Sequence, residues 1–172
     1  MQHTLVALVE DKPGVLNRVA SLFRRRAFNI ESLTVGHTDQ SGVSRMTIVM
    51  DSNETNAGRV TANLYKLLNV IQVSDLSDQP SVSRDLALVK VTAAPERRSE
   101  IMQLVEVYRS RIVDVTNDSL IIEITGDEEK INSFIEVMRP FGILEMVRTG
   151  IVTMARGASP VPNFGRNGNG VH

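Results

Sequence analysis

Apolar and polar residues along the first eighty positions switch between two periods. His3 to Val9 is a short apolar run of strand length, and Val15, Leu16, Val19, Ala20, Leu22 and Phe23 then recur at helical spacing. Arg24, Arg25 and Arg26 crowd the end of that helix, where cations suit the dipole. Phe28 to Thr38 returns to a strand pattern, with one slip between Ile30 and Leu33 that predicts a bulge near Glu31 and Ser32. Asp39-Gln40-Ser41-Gly42 reads as a turn, and Met46, Ile48 and Met50 alternate in a third strand, hairpinned to the second. Ser52 or Asn53 is placed to cap a helix carrying Val60, Leu64, Leu67 and Leu68 on one face, and Val70 to Leu76 closes the unit as a fourth strand.

The same order then repeats. Leu86 to Thr92 is a strand, Pro95 suits a helix first turn, and Ile101, Leu104, Val105 and Tyr108 form a stripe. Arg111 to Thr116 and Leu120 to Thr125 flank a turn at Asn117-Asp118-Ser119. Asp127 is placed to cap a helix with Ile131, Phe134, Ile135 and Met138 on its buried side, and Pro140 ends it. Ile143 to Val152 reads as one last strand, kinked at Gly150. The halves agree in order and spacing, not in residues: Gly14 follows Pro13, but no glycine follows Pro95. The predicted fold class is α+β, two ferredoxin-like βαββαβ units in tandem. The expected divisions are 1–78, a linker at 79–84, 85–157, and a Pro/Gly/Asn-rich disordered tail at 158–172. Each sheet leaves an edge strand to be managed, and pairing edges between two copies would do it.

Composition narrows the function classes. Nineteen Lys and Arg against twenty Asp and Glu give a formal charge of -1, which offers no global field for nucleic acid or an anionic membrane. The chain has no cysteine, which excludes disulfides and thiol catalysis. No run of about 18 apolar residues is present, and Met1 leads directly into strand-like sequence, so the expected location is cytoplasmic. His3, His37 and His172 form no catalytic or metal-ligand spacing, and no phosphate-binding glycine motif occurs. Arg24 to Arg26 read as a solvated helix end. A ferredoxin-like phosphatase would need an anion loop with Arg and Asn where Glu10 and Asp11 stand, and a DNA-binding regulator would need a basic recognition helix.

The first strand-to-helix joint is the chemically suggestive stretch. Gly14 opens a helix whose free N–H groups suit a carboxylate, and glycine permits close approach. Asp11 supplies an acceptor for an ammonium group, Asn29 a donor and an acceptor, and Val15, Leu16 and Ile30 apolar surface. Together they suit a free amino acid with a short aliphatic side chain. On spacing alone an ordinary β–α joint is the stronger reading, and spacing by itself does not decide the matter.

"EDKPGVLNRVASLF" from Glu10, followed by "FNIESLTVGHTDQSGVSRMTIVM" from Phe28, resembles the amino-terminal ACT domain of the small, regulatory subunits of acetohydroxyacid synthase (acetolactate synthase). "NIESL" at Asn29 to Leu33 and "SRMTIV" at Ser44 to Val49 are the specific parts. The resemblance continues through "VSDLS", "SRDLALVKV" and "FGILEMVRTGIVTMARG", from Met1 to about Gly157. It implies a chain with no catalytic activity and no cofactor of its own. It also implies a large catalytic subunit using thiamine diphosphate, FAD and Mg²⁺, raised in activity by this one. The further implication is feedback inhibition by valine in branched-chain (valine, leucine, isoleucine) biosynthesis, with valine held between the ACT domains of a homodimer. By position the implied ligand residues are Asp11, Gly14, Val15, Leu16, Asn29 and Ile30. Many members of this family carry Asn where this chain has Asp11. The alternative is a stand-alone ACT-type amino-acid sensor with a different client. No amino-acid site is expected in the second unit.

Overall fold

Strand β1 (Gln2–Glu10) is central to the first unit. In this computed structural model, which describes residues 2–51 and 54–158 (backbone alone at 54–57), β1 lies between β3 (Val43–Asp51) and β4 (Val70–Asp75), antiparallel to both. Strand β2 (Ile30–His37) pairs with the far side of β3, giving the order β2-β3-β1-β4. A strand covered on both faces reads as a continuous apolar run, and Leu5, Val6, Ala7 and Val9 are all buried. Leu5, Ala7 and Val9 join Met46, Ile48 and Met50 in the core beneath helices α1 (Val15–Arg25) and α2 (Glu54–Leu64). On α1 the buried stripe narrows to Val15, Val19 and Phe23, spaced by four, as one helix face requires. The slip expected in β2 is present: its register to β3 shifts between Ile30 and Ser32, which leaves Leu33 packed against the core.

Leu68 departs from expectation. It is 93% exposed, because α2 ends at Leu64 and the turn after it breaks the helical period. Val60 and Leu64 remain buried and Leu67 partly so. The cap expected at Ser52 or Asn53 and the expected tail beyond Ala158 lie outside the described residues.

The second unit repeats the plan with strand order β6-β7-β5-β8: β6 (Arg111–Val115), β7 (Ser119–Gly126), β5 (Ser81–Thr92) and β8 (Ile143–Arg148). Helices α3 (Arg98–Val107) and α4 (Glu128–Met138) bury Ile101, Ile131, Phe134 and Met138 against Val89, Val91 and Ile122. Tyr108 meets Phe134 edge-on with ring centroids 5.3 Å apart. Asp127 caps α4, accepting from the Lys130 amide at 2.9 Å. Pro95 precedes α3 rather than opening it, since the helix starts at Arg98.

Two boundaries differ from the sequence reading. β5 begins at Ser81, inside the stretch expected to be linker. The single last strand is two, β8 and β9 (Val152–Ala155), with a bend between them at Gly150, whose φ of +88° is a conformation glycine adopts without steric cost. Buried Asp85 fixes that bend. It accepts from the Gly150 amide at 3.2 Å, from Thr149 Oγ1 at 3.1 Å and from Arg148 Nε at 2.8 Å, and the ion pair makes the last of these stronger than a neutral bond. β9 pairs with β5, and the chain divides into one compact unit of Met1–Val82 with the described residues from Thr153 on, and another of Ser83–Val152. Among the described residues no helix is long and apolar enough to cross a membrane, and no three His, Cys, Asp or Glu side chains gather as a metal site.

Candidate functional site

The joint between β1 and α1 is held in place by its own backbone. Glu10 N donates to Asn69 O at 2.9 Å, Asp11 N to Gly42 O at 2.8 Å, and Arg18 N to Gly14 O at 3.0 Å. Glu10 anchors the near side: its carboxylate meets Lys12 Nζ at 2.7 Å and accepts from Asn69 Nδ2 at 3.1 Å. Hydrogen bonds from Lys12 and then Asn69 hold that carboxyl below the usual Glu range. Gly14 caps α1 with φ +85° and ψ −6°. A Cβ there would meet nothing within 4 Å, so backbone conformation, not crowding, selects glycine.

The helix end is open chemically as well as sterically. A glycine cap offers no side chain to the first-turn amides, and no acidic residue occupies that turn. Among the described residues the amides of Gly14, Leu16 and Asn17 have no acceptor. These are the groups, together with the helix dipole, that receive a carboxylate. Leu16, 47% exposed, stands beside them, while Val15 is buried in the core. Asp11 leans the other way, with its carboxylate 3.2 Å from His37 Nδ1 at the end of β2.

Asn29 and Ile30 are elsewhere. β2 is not a direct neighbour of β1, because β3 lies between them. His37 pairs with Ser44 near the joint, whereas Ile30 pairs with Met50, which also pairs with His3 at the opposite end of the sheet. The intervening strand length is roughly 20–25 Å at about 3.3 Å per residue. One chain therefore brings Asp11, Gly14, Val15 and Leu16 together, and Asn29 with Ile30, as two separate clusters. Sequence reasoning placed Asn29 next to the joint because the return through α1 was not traced to the sheet's far end.

His37, Gly42 and Asn69 were missed as neighbours of the joint. Only tertiary pairing of the β2–β3 turn and of the start of β4 with β1 brings them there, and local sequence carries no signal for that. In the second unit the matching joint is closed over by side chains, although the amides of Arg98, Ser99 and Glu100 likewise have no acceptor among the described residues. Arg97 caps α3 with φ −106°, Glu100 sits in the first turn, and Arg98 Nη2 donates to the carbonyls of Ala93, Thr116 and Asn117 at 3.1, 2.8 and 2.9 Å.

Comparison with known proteins agrees with this organisation. Residues 5–72 match the family model of the AHAS small subunit-like ACT domain, and residues 84–157 match that of the small subunit of acetolactate synthase. The chain is 54% identical over 157 residues to the probable acetolactate synthase small subunit of Archaeoglobus fulgidus, covering 91% of this chain and 98% of that one. It is 50% identical over 155 residues to the acetolactate synthase small subunit of Mycobacterium leprae, covering 90% and 92%. The crystal structure of the acetolactate synthase small subunit from Thermotoga maritima superposes with a TM-score of 0.86 at 39% identity, over 92% of this chain and 99% of that one.

Proposed function

The chain belongs to the family of acetolactate synthase small subunits, and from that premise we propose that it is a non-catalytic regulatory subunit whose first unit senses valine. In this reading it associates in the cytoplasm with a large catalytic subunit, raises that subunit's activity, and lowers it again when valine binds. Thiamine diphosphate, FAD and Mg²⁺ belong to the large subunit, and this chain takes part through binding alone.

The observation that carries the valine site is the open start of α1. There Gly14 is left-handed and the amides of Gly14, Leu16 and Asn17 are free for a carboxylate. Asn29 and Ile30 enter through symmetry. β2 has β3 on one side and, among the described residues, no strand on the other. A second copy pairing antiparallel along that edge sets the His37 end of one β2 beside the Ile30 end of the other. The two clusters then meet across the seam, once at each end of it. Valine's carboxylate takes the Gly14 side, its ammonium takes Asn29 of the second copy, and its isopropyl group takes Leu16 and Ile30, while Asp11 stays with His37.

Binding at a seam ties occupancy to the relative orientation of two chains. Valine inhibits only insofar as it prefers the inhibited arrangement over the activating one. Leucine and isoleucine enter less well, since one methylene discriminates by about 1–3 kcal/mol. The test is reconstitution with a purified large subunit, assayed with and without valine. Stimulation that valine reverses supports the reading. Valine binding without any stimulation would point to a sensor with another client.

A further inference from the structure

The helix layer of the first unit segregates charge. Residues 14–30 and 58–69 contain Arg18, Arg24, Arg25, Arg26, Arg59 and Lys66 and no Asp or Glu, although α2 itself opens at Glu54, in a chain whose formal charge is -1. None of these six cations has a carboxylate partner among the described residues. Their nearest acceptors are neutral. Asn63 Oδ1 takes Arg26 Nη2 and Lys66 Nζ, each at 3.5 Å, and Asn69 Oδ1 takes Arg18 Nη1 at 2.5 Å. Between α1 and α2 runs a groove of about 450 Å³ lined by Leu22, Arg25, Arg26, Asn63, Lys66 and Leu67. A second hollow of about 260 Å³ continues it past Phe28 and Arg59, sharing Arg26 and Asn63. The form is an apolar floor under a cationic rim.

Like charges on one face repel one another, and among the described residues no carboxylate pairs with them. Two of the unit's other surfaces have occupants of their own. On the sheet face away from the helices Val6, Thr47 and Val49 are buried, and Arg45 Nη2 donates to Thr153 O at 2.6 Å. The β2 edge is assigned to the second copy. The helix layer is left exposed and positive.

We infer that the α1–α2 face of the first unit docks an acidic surface of the large catalytic subunit, with the rim pairing carboxylates and the Leu22–Leu67 floor taking an apolar side chain. This rests on the regulatory-subunit reading, because it names the surface through which that regulation acts. Arg24 to Arg26, which look like a solvated helix end in the sequence, become with Arg59 and Lys66 one side of an interface.

The experiment measures association of the full chain with the purified large subunit in a salt series. It compares wild type with Arg25→Glu/Arg26→Glu/Lys66→Glu and with Arg25→Lys/Arg26→Lys. Calorimetry with valine and sedimentation of the regulatory chain alone are run beside it. The expected result is wild-type association that weakens steeply with salt, and a loss of about 30-fold or more in the charge-reversed variant, much of it in the association rate. Valine binding and self-association stay at wild-type levels, and the lysine variant keeps most of its affinity. Association of the charge-reversed variant within about threefold of wild type overturns the inference, because rim charges that steer a partner cannot be reversed without penalty. Tight binding of inorganic pyrophosphate, with subunit association insensitive to charge reversal, also overturns it and marks a small-anion site. Absence of any association by wild type overturns the regulatory reading as well, which separates the two failures.

Discussion

The two β–α joints share a topological position and differ in chemistry. The first has Gly14 in a left-handed conformation, free amides behind it and no acid in the first helical turn. The second has a right-handed cap at Arg97, Glu100 in the first turn, and Arg98 tied to three carbonyl oxygens. Arg97 itself stacks 4.3 Å over the Phe141 ring and donates to Pro140 O at 3.1 Å. Both joints connect a central strand to a helix packed on an antiparallel sheet, so the fold does not require either arrangement. Among the described residues the first-turn amides lack an acceptor at both joints, so the difference lies in the left-handed glycine and acid-free turn of the first against Glu100 and the Arg98 tether of the second. In the proposed reading the first joint receives the ligand and the second holds its own shape.

Breaking the open joint has the largest expected effect. Gly14→Asp places a carboxylate where the proposed site receives valine's own, at a backbone angle that side chains rarely adopt. Calorimetry is expected to show at least about a hundredfold weaker valine binding, in keeping with a like-charge juxtaposition costing several kcal/mol, while stimulation of the large subunit persists. Breaking the closed joint is expected to act on stability instead. Arg98→Ala removes charge-assisted bonds to three carbonyls and should cost about 2 kcal/mol in chemical denaturation, with valine affinity unchanged. A valine effect from that variant would contradict the division of labour between the units.

Subtler changes sharpen the same contrast. An ionised Asp11 accepts from an ammonium group but repels a carboxylate, so Asp11→Asn is expected to leave valine affinity equal or better, by up to about tenfold. A large loss in calorimetry would place Asp11 squarely on the ammonium. The smallest effect concerns pH. Lys12 and Asn69 hold Glu10 below its usual range, so the folded state favours the carboxylate. That contribution is present above the ordinary Glu pKa and fades as pH falls through the lowered folded value. Glu10→Gln should therefore flatten stability against pH only below about pH 4.5, as read from thermal melts.

The order of elements was legible because each carries a strong local signal. β1 is an unbroken apolar run, α1 repeats every four residues, and the slip between Ile30 and Leu33 announced the β2 bulge. The bend at Gly150 was legible as a kink but not as a strand break, because Asp85, which fixes it, lies 65 residues away. Leu68 misled for a related reason: helical spacing continues in the sequence past the point where α2 stops. At the site, Gly14 as the residue that opens α1 could be read from a Pro-Gly pair before an amphipathic run. The separation of Asn29 from Gly14 could not, since it depends on which end of the sheet α1 returns to and on β3 lying between β1 and β2. The neighbours His37 and Asn69 depend on the same long-range pairing.

A mixed-dimer experiment tests the shared seam most directly. Gly14→Asp and Asn29→Ala chains are each prepared as valine-insensitive dimers, then exchanged to form hybrids, and valine binding is measured by calorimetry. If each site joins Gly14 of one chain to Asn29 of the other, a hybrid carries both lesions at one end of the seam and neither at the other. One wild-type-affinity site per hybrid dimer should return. Hybrids that bind no valine, although both variants fold and pair, would show that the two clusters never share a ligand.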